Sequence, residues 1–187
     1  VFREETVRSK ALLEDIIQKP VTGYRAASYS ITERSLWALD IIAEAGFEYD
    51  SSIFPVKHDR YGMPDAIEGP HQLKTPGGGK LVEFPLSTAK IFNYKLPVAG
   101  GGYFRLYPYL LSKFGLSQIN RDKRPFIFYL HPWEIDIEQP RISAKWLSKF
   151  RHYNNLHKCE SRLNRLLQDF EFTTARNVLT ELELLDR

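Results

Sequence analysis

The fold class is most evident in residues 23–55, GYRAASYSITERSLWALDIIAEAGFEYDSSIFP. Residues 23–30 are short, aromatic and bounded by glycine, and residues 47–54 form a similar segment that ends at Pro55. Each segment predicts a strand or a strand end. The apolar residues between them recur with helical spacing. The stretch therefore predicts strand, helix, strand with short connections, which is typical of parallel strands in an α/β layer or barrel.

Start and stop signals support the helix inside this stretch. Ser30 is followed three residues later by Glu33, the spacing of a capping box, and Gly46 stands where a C-terminal cap belongs. Another amphipathic helix, residues 4–18, precedes it and ends before Pro20. A helix at this position needs a preceding strand on which to pack, so we expect the α/β layer to continue upstream.

The middle and the end of the chain differ from this opening. Residues 57–108 are rich in glycine, proline and aromatic residues, and we expect short strands and a functional rim there. The remaining predicted elements are strands over residues 81–86 and 125–131, and helices over residues 107–116, 146–170 (broken near Asn154 and Asn155) and 177–186.

The composition excludes several classes of protein. The 187 residues are 43% hydrophobic and 26% charged, as in ordinary globular proteins. A net charge of +3 is too weak to indicate nucleic acid binding. The single cysteine, Cys159, excludes an internal disulfide and a cysteine-based zinc site. Because no run of about 18 apolar residues is present, no transmembrane segment is predicted.

A basic segment near the end of the chain has two interpretations. Residues 141–165 hold one acid, Glu160, and seven cationic residues: Arg141, Lys145, Lys149, Arg151, Lys158, Arg162 and Arg165. A solvated outer face is the simpler interpretation, and a surface for a membrane or a polyanion is the alternative.

Three residues at predicted strand ends carry groups that can take part in chemistry. The guanidinium of Arg25 can hold a carboxylate in a fixed direction. Asp50 can orient an imidazole or a sugar. His131, in FYLHPWE, can act as a general acid or base near neutral pH. Structural alternatives stay open: a surface salt bridge for Arg25, a turn cap for Asp50 and a core position for His131.

Other catalytic and ligand-binding patterns are missing from the sequence. It contains no HExxH, no His-x-x-x-His, no adjacent aspartate pair, no GxGxxG and no Walker loop. The glycine triplets at residues 77–79 and 100–102 are expected to lack the helix start that would hold a phosphate.

Several strings, in this order and spacing, resemble the NodB-like polysaccharide deacetylases, most closely the subfamily found with exopolysaccharide and exosortase gene clusters. The resemblance covers nearly the whole chain. The strings are GYRAASYSI, WALDIIAEAGFEYDSSIFP, HDRYGMPDA, EFPLST, LPVAGGGYFRLYP, FYLHPWEIDIEQPR and FRHYNNL.

The resemblance implies a distorted (β/α) barrel that removes N-acetyl groups from amino sugars. Residues 1–140 would form a partial barrel with an insertion over residues 57–108, and residues 141–187 a helical extension packed on it. Such barrels need roughly 200 to 250 residues or more. The family's early motifs would lie upstream of Val1: a paired aspartate, of which one is the catalytic base and one binds the metal, and a His-x-x-x-His metal pair. We therefore expect a divalent metal, usually zinc, in the full-length protein, and neither metal nor activity in this chain alone.

Site residues follow from the resemblance at matching positions. Arg25 matches the arginine that positions the catalytic base, in a motif where Ala27 and Tyr29 replace the usual proline and phenylalanine. Asp50 matches the acid that pairs with the catalytic histidine, and His131 matches that histidine. Metal-activated water would attack the acetamide, an upstream aspartate would take its proton, and His131 would protonate the leaving amine.

The expected substrate is an N-acetylated polysaccharide or oligosaccharide. Its sugar rings would contact an aromatic rim formed by Tyr61, Tyr103, Phe104 and Trp133. A non-catalytic glycan-binding protein and an assembly subunit that completes a barrel with another chain are the alternatives. An incomplete barrel exposes sheet edges, so we expect homo-oligomers, exchange of elements or aggregation. No signal peptide is visible, and the cytoplasm is the expected compartment, with the periplasm and the membrane surface as alternatives.

Overall fold

A computed structural model describes residues 1–58, 61–91 and 94–186. The chain forms two compact units, Val1–Leu86 with Thr174–Arg187, and Ser87–Thr173. The boundary predicted at residue 140 falls inside the second unit. Four residues of the predicted insertion, 59–60 and 92–93, lie outside the described residues.

The first unit is built on a four-stranded sheet in the order β1-β2-β4-β3. Strands β1 (Gly23–Tyr24), β2 (Tyr49–Asp50) and β4 (Lys80–Glu83) are parallel, and β3 (His71–Lys74) pairs antiparallel with β4. The prediction of parallel strands joined by a helix is therefore confirmed for β1 and β2, although both strands are shorter than the segments that predicted them.

The register of the parallel strands brings their carboxyl ends to one edge of the sheet. Tyr24 lies beside Asp50, and Asp50 lies beside Glu83 on the next strand. Arg25 follows directly after β1. The edge therefore collects one basic and two acidic residues from three separate segments of the chain.

The described helices of the first unit are α1 (Phe2–Ile17), α2 (Trp37–Glu44) and α7 (Ala175–Glu181). The predicted capping box at Ser30 and Glu33 is wrong by two residues. The observed box joins Thr32 and Ser35 at the start of a short 3₁₀ turn. Ser35 completes the box in place of Glu33, because its hydroxyl accepts from the Thr32 amide and donates to the Ser30 carbonyl.

Helix α2 supplies much of the apolar core of the first unit. The buried core residues of this unit are Ala26, Ile31, Ala38, Leu39, Ile42, Phe47, Ile53 and Leu81. Helix α1 behaves differently, because it buries only Thr6. Its large apolar side chains are exposed in the described structure: Val7, Leu12, Leu13, Ile16 and Ile17.

The second unit combines a two-stranded antiparallel hairpin with helices. The hairpin consists of β5 (Thr88–Ile91) and β6 (Tyr94–Pro97). The described helices are α3 (Gly101–Leu106), α4 (Tyr109–Arg121), α5 (Trp146–Tyr153) and α6 (Leu156–Asp169). The predicted break near Asn154 and Asn155 is confirmed, because Asn155 has a left-handed backbone with φ 53°.

The second glycine triplet corrects one expectation. Gly100 precedes α3, so this triplet does begin a helix. A β-carbon on Gly101 would overlap the carboxylate of Glu134. The glycine thus permits close approach of a side chain of the same unit, rather than of a bound phosphate.

Residues 125–131, the expected buried strand, form no strand in this structure. Tyr129 makes a single parallel bridge to Gly100, and its amide donates to the Ala99 carbonyl at 3.1 Å. Phe126, Phe128 and Leu130 pack against the apolar core of the unit. An apolar run indicates that a segment is buried. Residues 125–131 are packed against the core without forming a strand in a sheet.

The described residues thus give a mixed α/β structure with two small sheets and no closed barrel. Among them, no helix combines the length and the apolar character needed to cross a membrane.

Candidate functional site

The edge of the sheet in the first unit holds a group of polar residues that we call the strand-end cluster: Arg25, Asp50, Ser51, Ser52 and Glu83. Both acids are fully buried. Asp50 Oδ1 accepts from the Ser52 hydroxyl at 2.7 Å, and Oδ2 accepts from the Ser52 amide at 3.1 Å. The Ser52 hydroxyl in turn accepts from the Ala26 amide at 2.7 Å. Residues after β1 and β2 are therefore tied together by this serine.

Arg25 is held by the neighbouring serine rather than by an acid. Its Nε donates to the Ser51 carbonyl at 2.9 Å, and Nη2 donates to the Ser51 hydroxyl at 2.8 Å. The Ser51 hydroxyl donates to the Phe84 carbonyl at 2.7 Å. This fixes the direction of the guanidinium after β1. The role of Arg25 in positioning a catalytic base stays a prediction.

The two acids of the cluster are buried side by side on neighbouring strands. Glu83 Oε1 accepts from the Ile53 amide at 3.0 Å, while no donor among the described residues reaches Oε2. Burial raises the pKa of Glu83 well above its ordinary value of 4.5, and the charge of Asp50 and a hydrogen bond to Asp50 raise it further. Two ionised carboxylates can only accept, so a hydrogen bond between them needs a proton on one of them, and the raised pKa favours Glu83.

The pKa of Asp50 depends both on burial and on the hydrogen bonds that Asp50 accepts. Burial raises its pKa, and hydrogen bonds from Glu83 and Ser52 act against that rise. The amide and the hydroxyl of Ser52 both donate to Asp50, whereas Glu83 accepts from the Ile53 amide alone, and an acid with more donors retains its charge more readily. The pKa of Glu83 is therefore raised further than that of Asp50, and the neutral form of Glu83 is favoured.

Replacing Glu83 with glutamine is expected to stabilise the first unit at neutral pH by about 1–3 kcal/mol, because the wild type must bind a proton on folding at a pH where the unfolded carboxyl is ionised, and the amide need not. The amide can donate to Asp50 and still accept from the Ile53 amide. Because the pKa of Glu83 is raised on folding, its favourable contribution is complete below 4.5 and is lost as the pH rises through the folded pKa. Urea unfolding between about pH 5 and about pH 8 should show this decline in the wild type and a flatter profile in the variant.

Glu48→Gln is a matched control in the same unit. Glu48 is an exposed acid paired with Arg176, so its loss should change the free energy of unfolding by less than about 1 kcal/mol at any pH. A Glu83→Gln profile as steep as that of the wild type would contradict a protonated Glu83.

In the second unit, His131 lies in a short loop that we call the His131 loop, residues 131–134. Its imidazole is exposed, and its amide donates to Glu134 Oε2 at 3.0 Å. Glu134 is buried, and its Oε1 accepts from Nε of the buried Arg105 at 2.9 Å. A buried ion pair therefore holds the backbone of His131 in place while the ring stays accessible.

Aromatic rings continue from His131 into the unit. The imidazole is parallel to the indole of Trp133, with centroids 5.9 Å apart. Trp133 stacks on His152 at 4.1 Å, and the Arg105 guanidinium lies 5.1 Å from the indole centroid. One face of Trp133 is thus covered by His152, which leaves less of the indole for a sugar than the sequence prediction assumed.

The other predicted rim residues have different surroundings. Tyr61, half-buried in the first unit, stacks on His58 at 3.8 Å. Tyr103, also half-buried, lies 5.9 Å from Tyr107. Phe104 requires a correction, because it is fully buried in the core of the second unit against Phe128. Adjacent helical residues point in different directions, and the run of aromatic residues concealed this.

Comparison with protein-family models gives one match, to a family described as a domain of unknown function (DUF3473), over residues 51–180. This is more than half of the chain. The chain belongs to this family. DUF3473 domains are associated with polysaccharide deacetylases, so the protein is deacetylase-related. Neither the curated proteins nor the solved structures gave a match.

The DUF3473 region contains some of the candidate residues and not others. His131, Trp133, Tyr61 and Tyr103 lie within residues 51–180, whereas Arg25 and Asp50 precede them. Asp50 is in the first unit and His131 in the second, and the described hydrogen bonds of Asp50 are made within the strand-end cluster. The pairing of these two residues stays a prediction.

The described part of this DUF3473 chain does not fit the divalent metal implied by the resemblance. It holds no group of three or more His, Cys, Asp or Glu side chains placed to bind a metal ion.

Sequence reasoning missed three residues around the candidate sites. Glu83 interrupts an apolar strand, LVEFPL, and an acid in such a strand indicates a buried carboxyl. Glu134 follows His131 by three residues and was not singled out, and nothing in the DUF3473 sequence indicated that Arg105, 29 positions earlier, is its partner.

Proposed function

We propose that this DUF3473 chain is part of a metal-dependent deacetylase that removes N-acetyl groups from amino sugars of an exopolysaccharide or cell-envelope glycan. His131 would be its proton donor. The observation that carries the proposal is the exposed imidazole of His131, fixed by Glu134 inside the family region. An imidazole changes charge near neutral pH and can protonate a leaving amine.

The chain's own residues would contribute position and proton transfer. The His131 backbone is fixed by the Glu134–Arg105 pair, and the parallel indole of Trp133 limits where the ring can turn. A fixed donor lowers the entropy cost of reaching the transition state. In the strand-end cluster, Arg25 and Asp50 would help to position the groups that transfer protons. The half-buried Tyr61 and Tyr103 would contact the sugar rings.

A bound divalent metal, zinc in most NodB-like enzymes, would polarise the acetyl carbonyl. Its ligands would lie outside the described residues, on additional strands of a NodB-type barrel.

Acetate release tests the proposal directly. The intact protein that carries this chain is expected to release acetate from an N-acetylated oligosaccharide, to lose this activity with a chelator by at least about 100-fold, and to regain it with zinc. The measurement is enzymatic detection of acetate with the deacetylated oligosaccharide identified by mass. Binding of the oligosaccharide without acetate release would contradict the enzyme and support a glycan-binding protein.

A further inference from the structure

Helix α5 and the segment before it present large apolar side chains to solvent. Trp146 is 76% exposed, Ile142 67%, Leu147 50% and Phe150 43%. The rings of Trp146 and Phe150 stack with centroids 5.7 Å apart. With the cationic residues beside them, Lys145, Lys149 and Arg151, these residues are here called the α5 surface. Exposed apolar residues gathered on one short segment indicate an interaction site.

The charges around these residues have a single sign. Between Glu138 and Glu160 the chain has no acidic residue, and Lys145, Lys149 and Arg151 are all exposed. Within the described part of the chain, no acid forms a salt bridge with any of these three cations. The α5 surface therefore complements a negatively charged partner.

The C-terminal turn of α5 is anchored to Arg105 and Trp133. Arg105 Nη1 donates to the carbonyls of His152 and Asn154 at 2.9 and 2.8 Å, and Nη2 donates to the Arg151 carbonyl at 3.1 Å. The His152 ring stacks on Trp133. These contacts hold the C-terminal turn of α5, while the side chains of Trp146 and Phe150 stay exposed. A surface held in this way binds without first paying the entropy of ordering itself.

We propose that the α5 surface binds the surface of an anionic lipid membrane. Aromatic rings with apolar bodies and aliphatic side chains enter the headgroup region, and lysine and arginine contact anionic headgroups. The aliphatic residues Ile142 and Leu147 favour lipid over an acidic glycan, because they offer no flat face to a sugar ring. The site is independent of the proposed deacetylase activity.

Vesicle binding tests this site in the protein as it exists. Sedimentation should show binding to vesicles of phosphatidylglycerol and phosphatidylcholine, and at least about 10-fold weaker binding to phosphatidylcholine alone. Each cation near an anionic surface contributes about fivefold to binding. Lys145→Glu/Lys149→Glu should thus weaken binding to the anionic vesicles by about 30-fold or more. Raised salt should weaken the binding of the wild type to the same vesicles, because salt screens the attraction between charges.

Two further variants separate insertion from charge attraction. Trp146→Ser/Phe150→Ser should weaken vesicle binding at least about 10-fold. Trp146→Phe should bind within about threefold of the wild type but lose the blue shift of tryptophan fluorescence, since Trp37 and Trp133 lie elsewhere.

Helix α1 provides the matched control, because Leu12 and Ile16 are 58% and 67% exposed beside the acids Glu14 and Asp15. Leu12→Ser/Ile16→Ser should leave vesicle binding unchanged. Equal binding to neutral and anionic vesicles would overturn the proposal. Wild-type binding by both the Lys145→Glu/Lys149→Glu and Trp146→Ser/Phe150→Ser variants would also overturn it. So would binding to a soluble anionic polysaccharide without vesicle binding.

Discussion

Replacing His131 with alanine is expected to lower acetate release by about 100-fold or more, the usual contribution of a general acid. The imidazole is exposed, and the backbone of the residue is held independently of the ring: its amide donates to Glu134 Oε2 and its carbonyl accepts from the Glu134 amide. The variant should therefore fold as the wild type does. The loss should appear in kcat, because the proton is transferred to the leaving amine in the transition state and not in substrate binding.

His157→Ala serves as the control for this experiment. His157 is an exposed histidine on α6 of the same unit, so its replacement measures the effect of losing an imidazole outside the candidate site. Steady-state kinetics on an N-acetylated oligosaccharide, with circular dichroism to verify folding, compares the two variants. Wild-type turnover in His131→Ala would remove His131 from proton transfer and leave it a rim residue.

Replacing Arg105 with methionine is expected to destabilise the second unit by about 3–5 kcal/mol, the range for breaking a buried ion pair. Arg105 and Glu134 are 2% and 1% exposed, so the variant leaves the Glu134 carboxylate buried without its charged partner. It also removes the donors that bind the carbonyls at the end of α5. Glu134→Gln should cost less, because the amide oxygen still accepts a hydrogen bond.

Urea unfolding followed by tryptophan fluorescence measures this loss, since Trp133 and Trp146 both lie in the second unit. Arg121→Met is the matched control: Arg121 is exposed and lies 5.7 Å from the Phe114 ring, and its loss should change stability by no more than about 0.5 kcal/mol. Equal stability of the Arg105→Met and Arg121→Met variants would contradict a structural role for the buried pair. Reduced acetate release in Arg105→Met would agree with a positioning role of Arg105, which acts on the His131 backbone through Glu134.

Helices were predicted well because their signals are local. The apolar spacing of residues 146–170 predicted both helices and the break between them, and Asn155 supplies the left-handed residue that the break needs. The strand at residues 125–131 was predicted wrongly for the opposite reason. A strand is defined by its neighbours, and an apolar run carries no information about whether another segment lies beside it.

The sequence by itself determined the α/β class of the first unit and the position of its parallel strand ends, and it singled out Arg25, Asp50 and His131 as candidates for chemistry. Each of these depends on residues within one turn or one strand. The tertiary structure alone decided the partnership of Asp50 with Glu83 and of Glu134 with Arg105. Partners 33 and 29 positions apart meet only when the chain packs, and burial then raises the pKa of Glu83 and makes a charged partner for Glu134 necessary.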